Sequence, residues 1–262
     1  MSFEPEDYAE PVSRYTPRKT VLKGKFELSQ ASVPYFQANV SLEDLDRELR
    51  LVEDLPPDYR AQWSIEELFQ RDIDWVRVNQ DLVTGYLKQK TKRTFFNALT
   101  VALLPMDDDG KLADEYGTPS SDERPTAEGP FDNQAFKTYD IGGVQLAFRK
   151  NQESEVAYIR WNEHKIFAAT IDGQHRLAAL KRFIQNSYSQ LTSEQRKTKV
   201  PVIFVVLDER LGYRSSAKQG IDVENQEGNE LLLVVREIFI DLNKHARSVS
   251  KTRQVLLDDQ EI

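Results

Sequence analysis

Apolar and polar positions alternate along two early segments, Lys25–Leu28 and Val33–Val40, with proline as punctuation, and both are expected to be short strands. Residues 1–24 carry no such period and several prolines, and read as an extended arm. The period then changes. Leu42, Leu45, Leu49 and Val52 recur at helical spacing behind Ser41, a capping residue with Asp44 three positions on, and this helix is expected to reach Pro56-Pro57. Ser64-Ile65-Glu66-Glu67 is a second capping signature. A helical face through Ile73, Val76, Leu82, Val83, Tyr86 and Leu87 follows it towards Lys92, broken near Asp72. Arg71, Arg77, Lys88, Lys90, Lys92 and Arg93 then read as its solvated side.

Phe95–Pro105 is almost wholly apolar at its end, as a strand buried on both faces would be. Residues 106–132 are rich in Asp, Glu, Gly, Pro and Ser without a core pattern, and are expected to form a mobile acidic loop. Within it Asp107-Asp108-Asp109-Gly110 is a weak cation-site candidate that lacks the spacing of a calcium loop. Ile141–Phe148 reads as a hairpin or strand with its turn at Gly142-Gly143, and Tyr158–Trp161 and Lys165–Ile171 as strands. From Gln174 the pattern is helical, with Leu177, Leu180, Phe183 and Ile184 on one side, and Val200–Leu207 is the clearest strand of the chain. Strand, helix and strand in this order suggest a βαβ unit with a right-handed crossover. After a polar loop over 212–229, Glu230–Leu242 is a helix with Leu231, Val235, Ile238, Phe239 and Leu242 inward; Ser248 or Ser250 would cap a last helix from Lys251. The expected architecture is α/β (α+β), one mixed sheet with flanking helices in a single domain over 25–259. The chain ends inside a helical pattern, as a piece of a longer protein would.

Composition narrows the function. With 262 residues, 39% of them apolar, there is material for a full core. A mean hydropathy of −0.59 is that of a soluble protein. No apolar run approaches the ~20 residues of a membrane span, and the acidic start MSFEPEDYAEP is not a leader. The absence of Cys excludes disulfides, thiolate chemistry and Cys-type zinc sites. A cytoplasmic protein is the simplest account. The net charge of −8 argues against coating nucleic acid with the whole surface but allows a local basic patch.

Chemistry concentrates at Asp172-Gly173-Gln174-His175-Arg176, where a strand is expected to turn through Gly into a helix. Such a corner brings backbone N–H groups and the positive helix end to a phosphate. Arg176 and the N–H groups of Gln174 to Arg176 could bind phosphate oxygens, and Asp172 could hold Mg²⁺. Gln174 could orient a water, and His175 could bond phosphate or move a proton. The corner is not a Walker A loop, since that motif's Gly spacing and Lys-Ser/Thr are missing. A purely structural corner accounts for the same residues: Asp172 capping the helix, Arg176 paired with Asp172, His175 satisfied and part-buried. A second candidate is Lys244, Arg247, Lys251 and Arg253, in a stretch free of acidic residues that could contact nucleic-acid phosphates; a solvated loop and helix start would read the same way. Asn243 before it is most simply a helix C-terminal cap.

Ile171-Asp172-Gly173-Gln174-His175-Arg176-Leu177 resembles the signature of the DGQHR-domain proteins, a group that includes the DndB proteins of DNA phosphorothioation systems. Ile238-Phe239-Ile240-Asp241-Leu242-Asn243-Lys244 through Lys251 is similar to that group's second block, and the likeness covers roughly residues 65–259. The resemblance implies a ParB/sulfiredoxin-like mixed-sheet core in which Asp172, Gly173, Gln174, His175, Arg176 and Asn243 line a nucleotide pocket. Mg²⁺ with ATP or another nucleoside triphosphate would be the ligand, Asp172 holding the metal and Asp172, Gln174 and His175 serving any hydrolysis. It also implies a role in DNA modification or phage defence, with DNA and other proteins of the same system as partners. Homo-oligomerisation is left open. The alternative is a non-enzymatic, DNA-binding transcriptional repressor of the modification genes.

Overall fold

The computed structural model describes residues 15–28, 31–54, 73–89, 91, 93–118, 129–131, 135–150, 155–214 and 230–244. Eight strands form one sheet. They are β1 (Lys19–Phe26), β2 (Val33–Ser41), β3 (Leu99–Pro105), β4 (Phe136–Ile141), β5 (Val144–Arg149), β6 (Val156–Trp161), β7 (Ile166–Asp172) and β8 (Lys199–Val205). Their order across the sheet is β4-β5-β6-β1-β2-β8-β3-β7, antiparallel throughout except for the parallel pair β3 and β8. The fold is therefore mixed α and β, as the periodicity implies. Its first strand starts earlier than the alternation suggests: residues 19–24, read as part of an arm, make up most of β1.

Helices cover the strands that the sequence marks as wholly apolar. Every residue of β3 is buried, as is β7 up to Ile171. Helix α1 (Leu42–Glu48) opens where Ser41 Oγ accepts the Asp44 N–H at 3.1 Å, so the cap was legible. It ends at Glu48 instead of running to Pro56, because the backbone turns extended at Leu49 and Arg50 joins the outer edge of β7. There the Arg50 N–H donates to the Ala168 carbonyl and the Thr170 N–H donates to the Arg50 carbonyl, which satisfies an edge left open by the sheet.

Helix α2 (Trp75–Arg77) passes directly into a π-helix over Val78–Leu87. The wide turn is held by groups that reach five residues back: Thr84 Oγ1 donates to the Asn79 carbonyl, Gln89 Nε2 to Thr84 and the Lys88 N–H to Val83. The π-helix packs on α3 (Gln174–Ser187), which also rests on β3 and β7. Helix α4 (Ser193–Arg196) carries a full capping box at Thr192 and Gln195, and α5 (Glu230–Lys244) packs on β7. Leu231 and Val235 face the core, but Leu242, expected inward, is 43% exposed. The helix in the sequence 64–72 lies outside the described residues. Among the described residues no helix is long and apolar enough to cross a membrane.

The βαβ expectation is overturned by β3. It inserts between β7 and β8, antiparallel to the first and parallel to the second, so β7 and β8 run in opposite directions. The segment after α3 turns the chain back through α4, and β8 starts at the end of the sheet where β7 stops.

The acidic region after β3 is also more ordered than its composition suggests. Met106 bridges to Leu112, and Leu112, Tyr116 and Phe131 are buried. Asp107 Oδ1 accepts the N–H groups of Asp109 and Lys111, so this carboxylate closes a turn. Residues 119–128 are outside the described set. The Tyr116 hydroxyl, fully buried, donates to the Leu103 carbonyl at 2.6 Å and takes the Leu207 N–H at 3.4 Å. Burial raises its pKa well above the ordinary tyrosine range. Tyr116→Phe is expected to cost about 1–2 kcal/mol in urea unfolding, the usual consequence of orphaning buried backbone partners.

Candidate functional site

The strand-to-helix corner forms where it was expected. Strand β7 ends at Asp172, Gly173 takes φ +88°, and α3 starts at Gln174. Gly173 is the helix N-cap and has no side chain to bond the first turn, so the Asp172 cap of the structural reading is not made. The N–H groups of that turn, with the helix dipole behind them, are the local source of positive potential. The turn admits no side chain. A Cβ on Gly173 would stand 2.6 Å from Leu99 Cδ2 and 2.9 Å from Arg176 Nη2, besides requiring a backbone angle that L-residues avoid.

Arg176 is more constrained than a free phosphate ligand would be. Its Nη2 donates to Asp172 Oδ2 at 2.8 Å, and its Nη1 donates to the carbonyls of Asn97 (2.8 Å) and Ala98 (3.1 Å). The guanidinium thus locks the start of α3 to the residues that lead into β3, next to the pairing of Thr100 with Asp172. This part of the purely structural reading holds. Asp172 keeps a side-chain exposure of 37% and Arg176 of 22%, so the pair borders solvent.

His175 Nε2 accepts the Asp74 N–H at 3.1 Å, which requires the lone pair on Nε2 and so the neutral ring. Asp74 in turn caps α2, its Oδ1 accepting the Arg77 N–H at 2.9 Å. The ring therefore connects the corner to the π-helical segment. No described residue hydrogen-bonds the Gln174 side chain, which is part-exposed on the first turn.

The other sequence candidates are not brought to the corner by the described residues. Asn243 lies inside the last turn of α5, which runs on to Lys244, so the helix ends beyond the residue read as its cap. The side chains of Asn243 and Lys244, and all of Arg247, Lys251 and Arg253, are outside the described set. Contributors missed from sequence are Asp74, Asn97, Ala98 and Arg50. They act through main-chain groups, which leave no residue-type signal. Among the described residues no three His, Cys, Asp or Glu side chains converge as a metal cluster.

Residues 25–219 match the DndB family, described as DNA-sulfur modification-associated. The chain belongs to that family. No curated protein and no solved structure matches it. The matched span includes seven of the sheet's strands in full, the last two residues of β1, and the whole Asp172–Arg176 corner. The family ties the chain to DNA-sulfur modification systems.

Proposed function

We propose that this protein serves DNA-sulfur modification by binding a nucleoside triphosphate at the Asp172–Arg176 corner. The observation that carries the reading is the uncapped start of α3 at Gly173, beside a half-exposed carboxylate. The phosphates would take the N–H groups of Gln174, His175 and Arg176 together with the Gln174 amide. Arg176 acts in this reading mainly as a positioning residue, since three acceptors already hold its guanidinium. Asp172 has one oxygen engaged by Arg176, and the other suits a Mg²⁺ that arrives on the phosphates. Magnesium commonly binds through one or two carboxylates plus substrate oxygens and water, so the lack of a larger acidic cluster among the described residues is compatible with it. The ParB/sulfiredoxin-like kinship is part of the same proposal and rests on the Gly173-x-x-Arg176 spacing. Hydrolysis would use Gln174 and His175; the ring must leave the Asp74 N–H to transfer a proton through Nε2.

Isothermal titration with Mg-ATP, Mg-GTP and Mg-CTP tests the reading. We expect saturable heat with at least one, weakened about tenfold or more in Asp172→Asn, a loss of about 1.4 kcal/mol. The unfolding midpoint of that variant should stay close to the parent's. Silence with all three nucleotides contradicts the proposal, and phosphate release separates hydrolysis from binding alone. In the regulator alternative, Lys251→Ala with Arg253→Ala would lower DNA affinity while leaving the nucleotide heat intact.

A further inference from the structure

At the end of the sheet opposite the corner, four side chains form a continuous stack on β1, β4 and β5. Lys23 Nζ lies 5.1 Å from the Phe148 ring centre, Phe148 meets Tyr139 edge-on at 5.6 Å, and Lys137 Nζ lies 4.8 Å from the Tyr139 ring centre. Both lysines are exposed and both rings are half-buried. That Lys23 and the corner occupy opposite ends follows from register: Lys23 pairs with Phe36 near the start of β2, whereas Ser41 at its end pairs with Lys199, where β8 begins beside the corner.

The charges of this end are unevenly matched. Neither Lys23 nor Lys137 forms an ion pair among the described residues, and exposed Lys25 and Lys150 stand beside them. Of the carboxylates near them, Glu27 is held by Lys25 and by Arg214, Asp140 accepts the Gln145 amide at 2.9 Å, and exposed Glu155 stands across from Lys23, its carbonyl accepting the Lys23 N–H at 2.7 Å. In a chain of net charge −8, a patch where cations lie over aromatic rings is a local reversal. A lysine seated on a ring keeps its charge available to solvent while its stem is held in place. Lysines interleaved with ring faces are what a nucleic-acid strand uses, phosphates on the cations and bases against the rings.

We infer that Lys23, Lys137, Tyr139 and Phe148 form a nucleic-acid contact surface, separate from the nucleotide corner. The partner is a DNA strand bound through its phosphodiester backbone, with an opened base able to rest on the rings. The inference does not require the corner to bind anything, so it can fail or hold independently of the nucleotide reading.

The test is fluorescence anisotropy with a labelled duplex and a labelled single strand of the same sequence, each at about 50 and about 200 mM salt, a range over which phosphate contacts lose most of their strength. Lys23→Ala with Lys137→Ala is expected to weaken binding about tenfold at the lower salt and to reduce the log–log salt slope by about 2, one unit for each phosphate contact removed. A larger loss with duplex assigns the surface to backbone contact alone. A larger loss with the single strand, deepened by Tyr139→Leu, adds base stacking. Unchanged affinity and slope in the double-lysine variant overturns the inference, as does absence of binding by the parent protein at low salt. Both lysines are exposed, so circular dichroism and the unfolding midpoint should match the parent and exclude misfolding as the cause.

Discussion

Glu48→Ala is expected to destabilise the protein by about 3–5 kcal/mol, since removing one partner of a buried ion pair leaves the other charge uncompensated. The pair in question joins β1 to α1. Lys19 Nζ stands 2.5 Å from Glu48 Oε2, with side-chain exposures of 6% and 0%. The ammonium also donates to the Pro17 carbonyl at 2.9 Å and lies 4.6 Å from the Trp161 ring centre, while Arg47 Nη2 donates to Glu48 Oε1 at 3.0 Å. Burial pushes the Lys19 ammonium down and the Glu48 carboxyl up from their ordinary pKa values, and their mutual attraction opposes both shifts. Alanine at 48 removes that opposition and a hydrogen-bond acceptor together. Replacing both residues, Lys19→Met with Glu48→Leu, is expected to recover most of the loss, because apolar side chains of similar volume carry no desolvation cost. Urea unfolding of the single and double variants checks this; a single variant within about 1 kcal/mol of the parent would show the pair to be dispensable, well short of a buried-pair loss.

The second large effect belongs to the corner itself. Gly173→Ala should cost about 2–4 kcal/mol, combining the left-handed backbone penalty of an L-residue with overpacking against Leu99. The clash at 2.6 Å is with a fully buried leucine at the start of β3, which has little room to retreat. For a chain of this size that is a fall in Tm of roughly 4–16 °C. Gly212, also at positive φ, would meet only the end of the Lys25 stem at 4.0 Å. Gly212→Ala should therefore pay only the backbone cost, about 1–2 kcal/mol, and a calorimetric comparison of the two variants separates strain from packing.

The contrast between these two positions shows what the sequence carries. Alternation and helical spacing placed β2, the turn at Gly142-Gly143 with β5, β7, α3 and β8 close to their observed bounds, because each of these elements buries one consistent face or both, whereas β4, buried only at Ile141, is missed except for that residue. Strand partnership was not legible. Nothing local to Leu99–Pro105 records that it inserts between β7 and β8, and the βαβ expectation failed for that reason. The same holds at α1, whose apolar spacing continues through Leu49 and Val52 although Arg50 is recruited to a sheet edge. At the corner, residue types identified the participants, and the turn at Gly173 followed from its position between strand and helix. What they could not show is that Arg176 is clamped by two carbonyls and a carboxylate, or that His175 receives a main-chain N–H from a residue about a hundred positions away. Main-chain acceptors and donors exist at every position, so such partners have no signature in a single sequence.

Under the proposed nucleotide reading, the clamp gives the phosphates to the first turn of α3 instead of the Arg176 side chain, and that assignment can be tested directly. Amide hydrogen exchange across residues 171–178, with and without saturating Mg-ATP, reports on those N–H groups. Slowed exchange concentrated at Gln174, His175 and Arg176 is the predicted result, with weaker protection around Asp74 through its bond to His175. Binding heat accompanied by unchanged exchange at these three amides would place the nucleotide elsewhere and contradict the account.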